Sequence, residues 1–120
     1  MLFRSKPLRV VNDQIHSPSY APDAATVTVE LIRRGARGIA HVTNSGWCSW
    51  FEMASAIMVE AGINANLSPS SLKDLPSGGP PRPRYSVLAH GALRRYGLPS
   101  PRTWRDALRD YLAREALIEA

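Results

Sequence analysis

Gly38-Ile39-Ala40-His41-Val42-Thr43-Asn44-Ser45-Gly46-Trp47-Cys48-Ser49-Trp50-Phe51-Glu52 is the stretch in which the chain changes period. Gly38–Asn44 alternates and carries β-branched residues, so it reads as a strand that ends in a turn at Ser45-Gly46. Ser49 and Glu52 then have capping-box spacing. The serine oxygen accepts from the amide three residues on, and the glutamate accepts from the serine's own amide. Behind them Trp50, Met53, Ile57 and Ala61 recur on one helical face, and Gly62 stops the run. Trp50 reads as core because it lies on that face. A strand, a turn and a capped helix in succession make the chain mixed α/β.

Outward from this stretch the same rules apply. Leu8-Arg9-Val10-Val11 is short and β-branched and predicts a strand. It runs into the polar segment Asn12–Ser19, rich in turn formers. Pro22 and Asp23 suit the first turn of a helix, with Ala25, Val29 and Ile32 at helical spacing and Gly35 as its stop. The β-branched run Val27-Thr28-Val29 leaves a strand as the competing reading there. Ile63–Leu67 is a short strand candidate. The Pro- and Gly-rich residues 76–84 predict an extended loop, because proline removes donors and fixes φ. His90–Tyr96 predicts a short helix closed by Gly97. Thr103 caps a last helix with Trp104, Leu108, Tyr111 and Leu112 on one face and an Asp110–Arg114 pair on its surface.

The composition restricts the function classes. At 120 residues, with 44% hydrophobic and 21% charged residues, the chain fits one soluble domain or a piece of one. No apolar run approaches the ~20 residues of a membrane helix, and the basic start before Pro7 is too short for a signal peptide. The expected compartment is therefore the cytoplasm, with no membrane partner. The single cysteine, Cys48, excludes an internal disulfide. The net charge is +5, and 13 of the 15 basic residues are arginine. They are scattered, and the pairs Arg33-Arg34 and Arg94-Arg95 sit at helix ends, where the backbone dipole favours cations. With no nucleic-acid motif and no interleaving of aromatic and basic residues, nucleic acid is not an expected partner. A small anionic ligand is.

Catalytic constellations are missing from the sequence. No G-x-G-x-x-G follows a strand, and Gly35-Ala36-Arg37-Gly38 follows a helix and lacks the third glycine, so no cofactor site is expected in this chain. His16, His41 and His90 stand apart without acidic neighbours at ligand spacing. They read as structural or solvent-facing, and no metal is expected. Cys48 has no paired base in the sequence and reads as a small buried residue. An acid–base tyrosine needs a lysine four positions on, to lower its pKa. Tyr20, Tyr85, Tyr96 and Tyr111 are followed there by Ala24, Ala89, Ser100 and Glu115, so no catalytic residue is assigned. Two stretches suit an anionic ligand. Asp13–Tyr20 offers an amide, hydroxyls and a helix start, the alternative being a loop that caps its own helix. Arg82-Pro83-Arg84-Tyr85-Ser86 offers a stiffened backbone and planar guanidinium forks, the alternative being a solvated surface loop.

Four stretches in register resemble the dTDP-4-dehydrorhamnose reductase family: Leu8–Asp23, Gly38–Glu52, Arg82–Leu88 and Trp104–Leu112. The family usually has glycine where His16 stands and threonine where Ser19 stands. The first difference leaves the loop's backbone shape open, since histidine takes positive φ less readily than glycine, and the second keeps a hydroxyl. Members are extended short-chain dehydrogenases. An amino-terminal Rossmann portion binds NADPH and carries a Thr, Tyr and Lys set. A smaller carboxy-terminal portion grips the dTDP-sugar, whose 4-keto group is reduced on the way to dTDP-rhamnose for polysaccharide.

The resemblance implies a small mixed α/β substrate-binding subdomain without its Rossmann portion. Residues 8–120 would form that subdomain, and residues 1–7 a non-native or disordered start. It implies Gln14, Ser17, Pro18 and Ser19 on the substrate side of the cleft. Arg82, Pro83 and Ser86 would lie near the nucleotide or its diphosphate, with Arg84 as substitute and Trp47 open as a base-stacking platform. The expected function is the substrate-binding part of an NADPH-dependent dTDP-sugar reductase, inactive alone. A non-catalytic binding or regulatory subunit is the alternative. Expected partners are the dTDP-sugar and a Rossmann half or neighbouring subunit, with a homo-oligomer kept open.

Overall fold

The computed structural model describes residues 7–74 and 79–115, and every structural statement below refers to these. Met1–Lys6 and residues 75–78 of the Pro- and Gly-rich loop lie outside them. β1 (Leu8–Val11) pairs in parallel with β4 (Leu67–Ser70), from Leu8 opposite Leu67 to Val11 opposite Ser70. The second strand therefore lies C-terminal to the predicted Ile63–Leu67, which shares with it only Leu67. Pro69 made β4 hard to see, because proline cannot donate to a ladder. In a two-stranded sheet β4 is an edge, where that loss is tolerated. A second, very short pair joins β2 (Ile15–His16) antiparallel to β3 (Cys48–Ser49). His16 is thus extended, and the backbone shape that glycine would allow is not used.

α2 (Trp50–Ala61) packs on β1, β4 and α4 (Trp104–Arg114). Its capping box is complete: Ser49 Oγ accepts from the Glu52 amide at 3.0 Å, and Glu52 Oε1 accepts from the Ser49 amide at 2.9 Å. Gly62 ends it at φ 67°. Thr103 caps α4 through the Asp106 amide, as its sequence predicts. The α2–α4 seam buries Ala56, Leu108 and Leu112, flanked by Ile57 and Trp104. Glu60 on α2 ties the seam at its rim by accepting from both Arg105 and Arg109. Gly46, at φ 87°, has a second constraint besides its backbone. A Cβ there would lie 3.2 Å from the Trp104 side chain.

Three further expectations fail. Gly38–Asn44 is irregular up to a single bridge between Ser45 and Thr103, because no strand among the described residues lies beside it. Alternation supplies a strand's faces but not the partner that satisfies its amides. α1 (Ala21–Arg33) forms as a helix but turns the other stripe inward. Leu31 is buried and Ala24 and Val27 half-buried, whereas Ala25 and Val29 are exposed and Ile32 is 72% exposed. Both stripes have helical spacing, so spacing alone could not choose. Trp50 is not core. It is 44% exposed and stacks on the His16 ring, centroids 4.0 Å apart. α3 (Gly91–Arg95) contributes the buried Leu93, with Gly97 closing the turn behind it.

The molecule is a slab of 51 × 40 × 18 Å with a radius of gyration of 16.8 Å. A compact domain of this length has a radius of about 14 Å. Ile32 and Ile39, 84% exposed, leave apolar surface uncovered.

Candidate functional site

The polar segment after β1 is held at both ends of its length. Asp13 accepts from Ser71 Oγ and from the Leu72 amide, each at 2.8 Å. Those bonds, the Ser71 hydroxyl foremost, hold its carboxyl below the usual range. At the far end, Asn44 is 3% exposed and serves three partners. Its Oδ1 accepts from the Tyr20 amide at 2.7 Å. Its Nδ2 donates to Asp23 Oδ2 at 2.7 Å and to the Arg102 carbonyl at 3.2 Å. Asp23 also accepts from Arg102 Nε at 2.8 Å, and Arg102 donates on to Asp110 at 2.6 Å. Hydrogen bonding to Arg102 depresses both carboxyls. No side chain of the loop caps α1, so the reading of Asp13–Tyr20 as a self-capping loop is not met.

Between these anchors Ile15 joins the two stretches singled out in the sequence. Its amide donates to the Arg84 carbonyl at 2.7 Å, and its carbonyl accepts from the Ser86 amide at 2.9 Å. The backbone bridge Ile15–Tyr85 is parallel. Ser86 Oγ also approaches the Ile15 carbonyl, at 3.4 Å. Gln14, half-buried, precedes the ladder. Arg84 faces Asp13 at 3.7 Å, whereas Arg82 has no ion pair among the described residues and is exposed together with Pro83. Ser17 Oγ and both ring nitrogens of His16 are buried without a hydrogen-bond partner among these residues. Buried polar groups of this kind ordinarily find one. Burial lowers the His16 pKa, favouring the neutral ring that stacks on Trp50.

Two concavities share Asn44, and the smaller also includes Tyr85 of the ladder. The larger, about 610 Å³, has Pro18, Ser19 and Tyr20 on one wall and Trp104, Leu108 and Tyr111 on the other. Tyr20 meets Tyr111 edge to face at 6.2 Å, with the Arg102 and Arg114 guanidiniums 5.6 and 5.9 Å from its ring centre. The smaller, about 340 Å³, lies among Trp47, Tyr85, Leu88, His90 and Arg94. The sequence-predicted residues thus divide. Gln14, Ser17 and Ser86 gather at the ladder, Pro18 and Ser19 line the larger pocket, and Arg82 and Pro83 stand exposed beside Arg84. Sequence reasoning missed Ile15, Asn44 and Tyr85. The signal for Asn44 was its place at the end of the alternating run, where a buried amide has backbone groups to satisfy.

The RmlD substrate binding domain is the family whose pattern fits this chain, over residues 1–117. The chain belongs to that family. The spore coat polysaccharide biosynthesis protein SpsK of Bacillus subtilis is 47% identical over 105 residues, covering 88% of this chain and 36% of SpsK. The dTDP-4-dehydrorhamnose reductase of Mycobacterium tuberculosis H37Rv is 37% identical over 109 residues, with 89% and 36% covered. The crystal structure of a dTDP-4-dehydrorhamnose reductase from Clostridium acetobutylicum superposes with a TM-score of 0.86 at 31% identity, covering 92% of this chain and 39% of the reductase. The Bacillus anthracis reductase, solved in complex with NADP, gives 0.83 at 33% identity, with 94% and 40% covered. This member of the family therefore has the mixed α/β fold of part of such reductases, and it spans about a third of the length of these curated relatives. Gly35 and Gly38 lie in the turn after α1, and no helix begins behind them to receive a pyrophosphate. Among the described residues no helix is long and apolar enough to cross a membrane.

Proposed function

We propose that this chain grips the dTDP-sugar for an NADPH-dependent reduction of its 4-keto group, a step of dTDP-rhamnose and polysaccharide biosynthesis. The hydride donor and the acid–base groups come from a Rossmann half or a neighbouring subunit. The observation that carries this reading is the Ile15 ladder. It ties the Asp13–Tyr20 stretch to Arg84–Ser86 through the backbone of Ile15, although some seventy residues separate them in sequence. Three buried polar atoms at His16 and Ser17 stand there without a partner among the described residues. Arg82 brings a planar fork, matched to diphosphate oxygens, to the same segment. The names of the relatives agree with this substrate class.

Calorimetric titration of the chain with dTDP, with NADPH in parallel, tests the proposal. Binding of dTDP but not NADPH is expected, and Arg82→Ala should weaken it by about ten-fold, the loss of one charge-assisted contact. NADPH binding as tight as dTDP binding, or no dTDP binding, contradicts it.

A further inference from the structure

We propose that His16 is a positioning residue: its neutral ring, stacked on Trp50, pins the Gln14–Ser19 segment beside the Ile15 ladder, and protonation of the ring releases that segment. This rests on the dTDP-sugar reading and adds a pH dependence to the grip. The two ring centroids lie 4.0 Å apart, with the planes 21° from parallel. Trp50 is the first residue of α2, so the stack fastens the loop to the start of a helix. The backbone follows the same line, with Ile15 opposite Ser49, the N-cap of α2, and His16 opposite Cys48. A pairing only two residues long holds weakly by itself, so the stacked side chain carries much of the attachment. Trp50 is 44% exposed, which puts the stack at the edge of the structure, where a released ring reaches water.

Both ring nitrogens are buried without a hydrogen-bond partner among the described residues. A neutral imidazole brings one donor and one acceptor there, whereas an imidazolium brings two donors and a charge. The groups on the packed elements offer that cation nothing. On β3, burial pushes the Cys48 thiol up to about 11, so it stays uncharged. On α2, Glu52 accepts from the Ser49 amide at 2.9 Å. On the loop itself, Asp13 accepts from Ser71 and Leu72 and faces Arg84, and Ser17 Oγ is buried and partnerless like the ring. The Trp50 face attracts a cation, but a charge withdrawn from water with two unpaired donors loses more than that attraction gains. Burial accordingly lowers the His16 pKa, with the Cys48 backbone acting against it. Because the fold lowers that pKa, the held ring stabilises the loop above the ordinary histidine value of about 6.5. It ceases to do so as pH falls through the lower folded value. The neighbouring Ile15 bonds Arg84 and Ser86, so release of His16 reaches the second stretch through one residue.

The test follows the His16 ring protons and the backbone amides of the 120-residue chain by NMR across the histidine range, about pH 5–8. Calorimetry measures dTDP affinity at the two ends of that range for wild type, His16→Phe and His16→Ala, with circular dichroism as the check of folding. In wild type the ring protons should sit upfield at the alkaline end, shielded by Trp50. They should lose that shift as the ring protonates below about pH 6.5, and the Ile15–Ser19 and Arg84–Ser86 amides should move in the same titration. Between the two ends dTDP affinity should fall about five-fold more in wild type than in His16→Phe, whose ring stays stacked throughout. That comparison cancels the titration of the phosphate itself. His16→Ala should bind more weakly than His16→Phe at both ends. The proposal is overturned if the ring keeps its upfield shift once protonated, if the loop amides stay still while it titrates, or if His16→Phe loses as much affinity as wild type. If wild type binds no dTDP at either end, the dTDP-sugar reading fails, and the ring and amide titrations still decide whether His16 holds the loop.

Discussion

Replacing Asn44 by alanine removes the side chain that joins the start of α1 to the loop before α4. The Tyr20 amide loses its acceptor, Asp23 loses a neutral donor, and the Arg102 carbonyl loses another. A neutral hydrogen bond contributes about 1 kcal/mol net and one to a charged group about 1.5–3 kcal/mol. The three together give a loss of about 3.5–5 kcal/mol, raised by burial of the Tyr20 amide and lowered by water that reaches Arg102. For a domain of this size each kcal/mol moves the midpoint by about 4 °C, so the melt should shift down by about 14–20 °C. Thermal unfolding followed by circular dichroism measures it. Asn44→Asp sharpens the test. It keeps an acceptor for Tyr20 but removes both donors and sets a second carboxylate against Asp23. Its melt should lie lowest at neutral pH and recover as the pH approaches about 4. A drop below about 3 °C for Asn44→Ala, or no pH dependence of the Asn44→Asp deficit, refutes the role given to this residue.

Further outcomes follow from the same structure. Asp23, Asp110 and Glu60 all have lowered pKa values in the fold, through hydrogen bonds to Arg102, Arg102 and Arg109 respectively. A depressed carboxyl stabilises the fold above its unfolded value of about 4 and ceases to do so as pH falls through its folded value. Urea midpoints should therefore be flat above that unfolded value and fall below it, and Arg102→Ala should reduce the fall. Ser49→Ala removes a capping box and the bond to Asn12 Oδ1, and should cost about 1–2 kcal/mol in urea unfolding. Cys48 is 1% exposed and burial pushes its thiol up to about 11, so iodoacetamide should leave it unmodified at neutral pH until denaturant is added. Ile32→Glu should decrease self-association in sedimentation experiments while leaving the melt within about 2 °C, because most of that side chain stands in solvent.

What the sequence made legible was local. The capping box at Ser49–Glu52, the left-handed stop at Gly62 and the Thr103 cap depend on residues a few positions apart, and each formed as read. What it hid depends on contacts at long separation. Two stripes on α1 have helical spacing, and only tertiary packing chose Leu31 over Ile32. Gly38–Asn44 has the alternation of a strand but no neighbour among the described residues to pair with. β4 went unseen because Pro69 interrupts it and its partner lies far upstream. At the site, residue types were readable and relations were not. Amide, hydroxyl and guanidinium groups marked Gln14, Ser17 and Arg82, whereas Ile15, an ordinary apolar residue, gave no sign that its backbone joins the two stretches. His16 and Trp50 gave no sign of stacking either, since neither residue type requires the other.

The dTDP-sugar reading stands or falls on a residue-by-residue map of amide chemical shifts as dTDP is added to the isotopically labelled chain. Perturbations should concentrate at Ile15–Ser19 and Arg82–Ser86, on the two sides of the Ile15 ladder, with α1 around Val29 and Ile32 unmoved. Shifts confined to α1, or none at saturating dTDP, would contradict it.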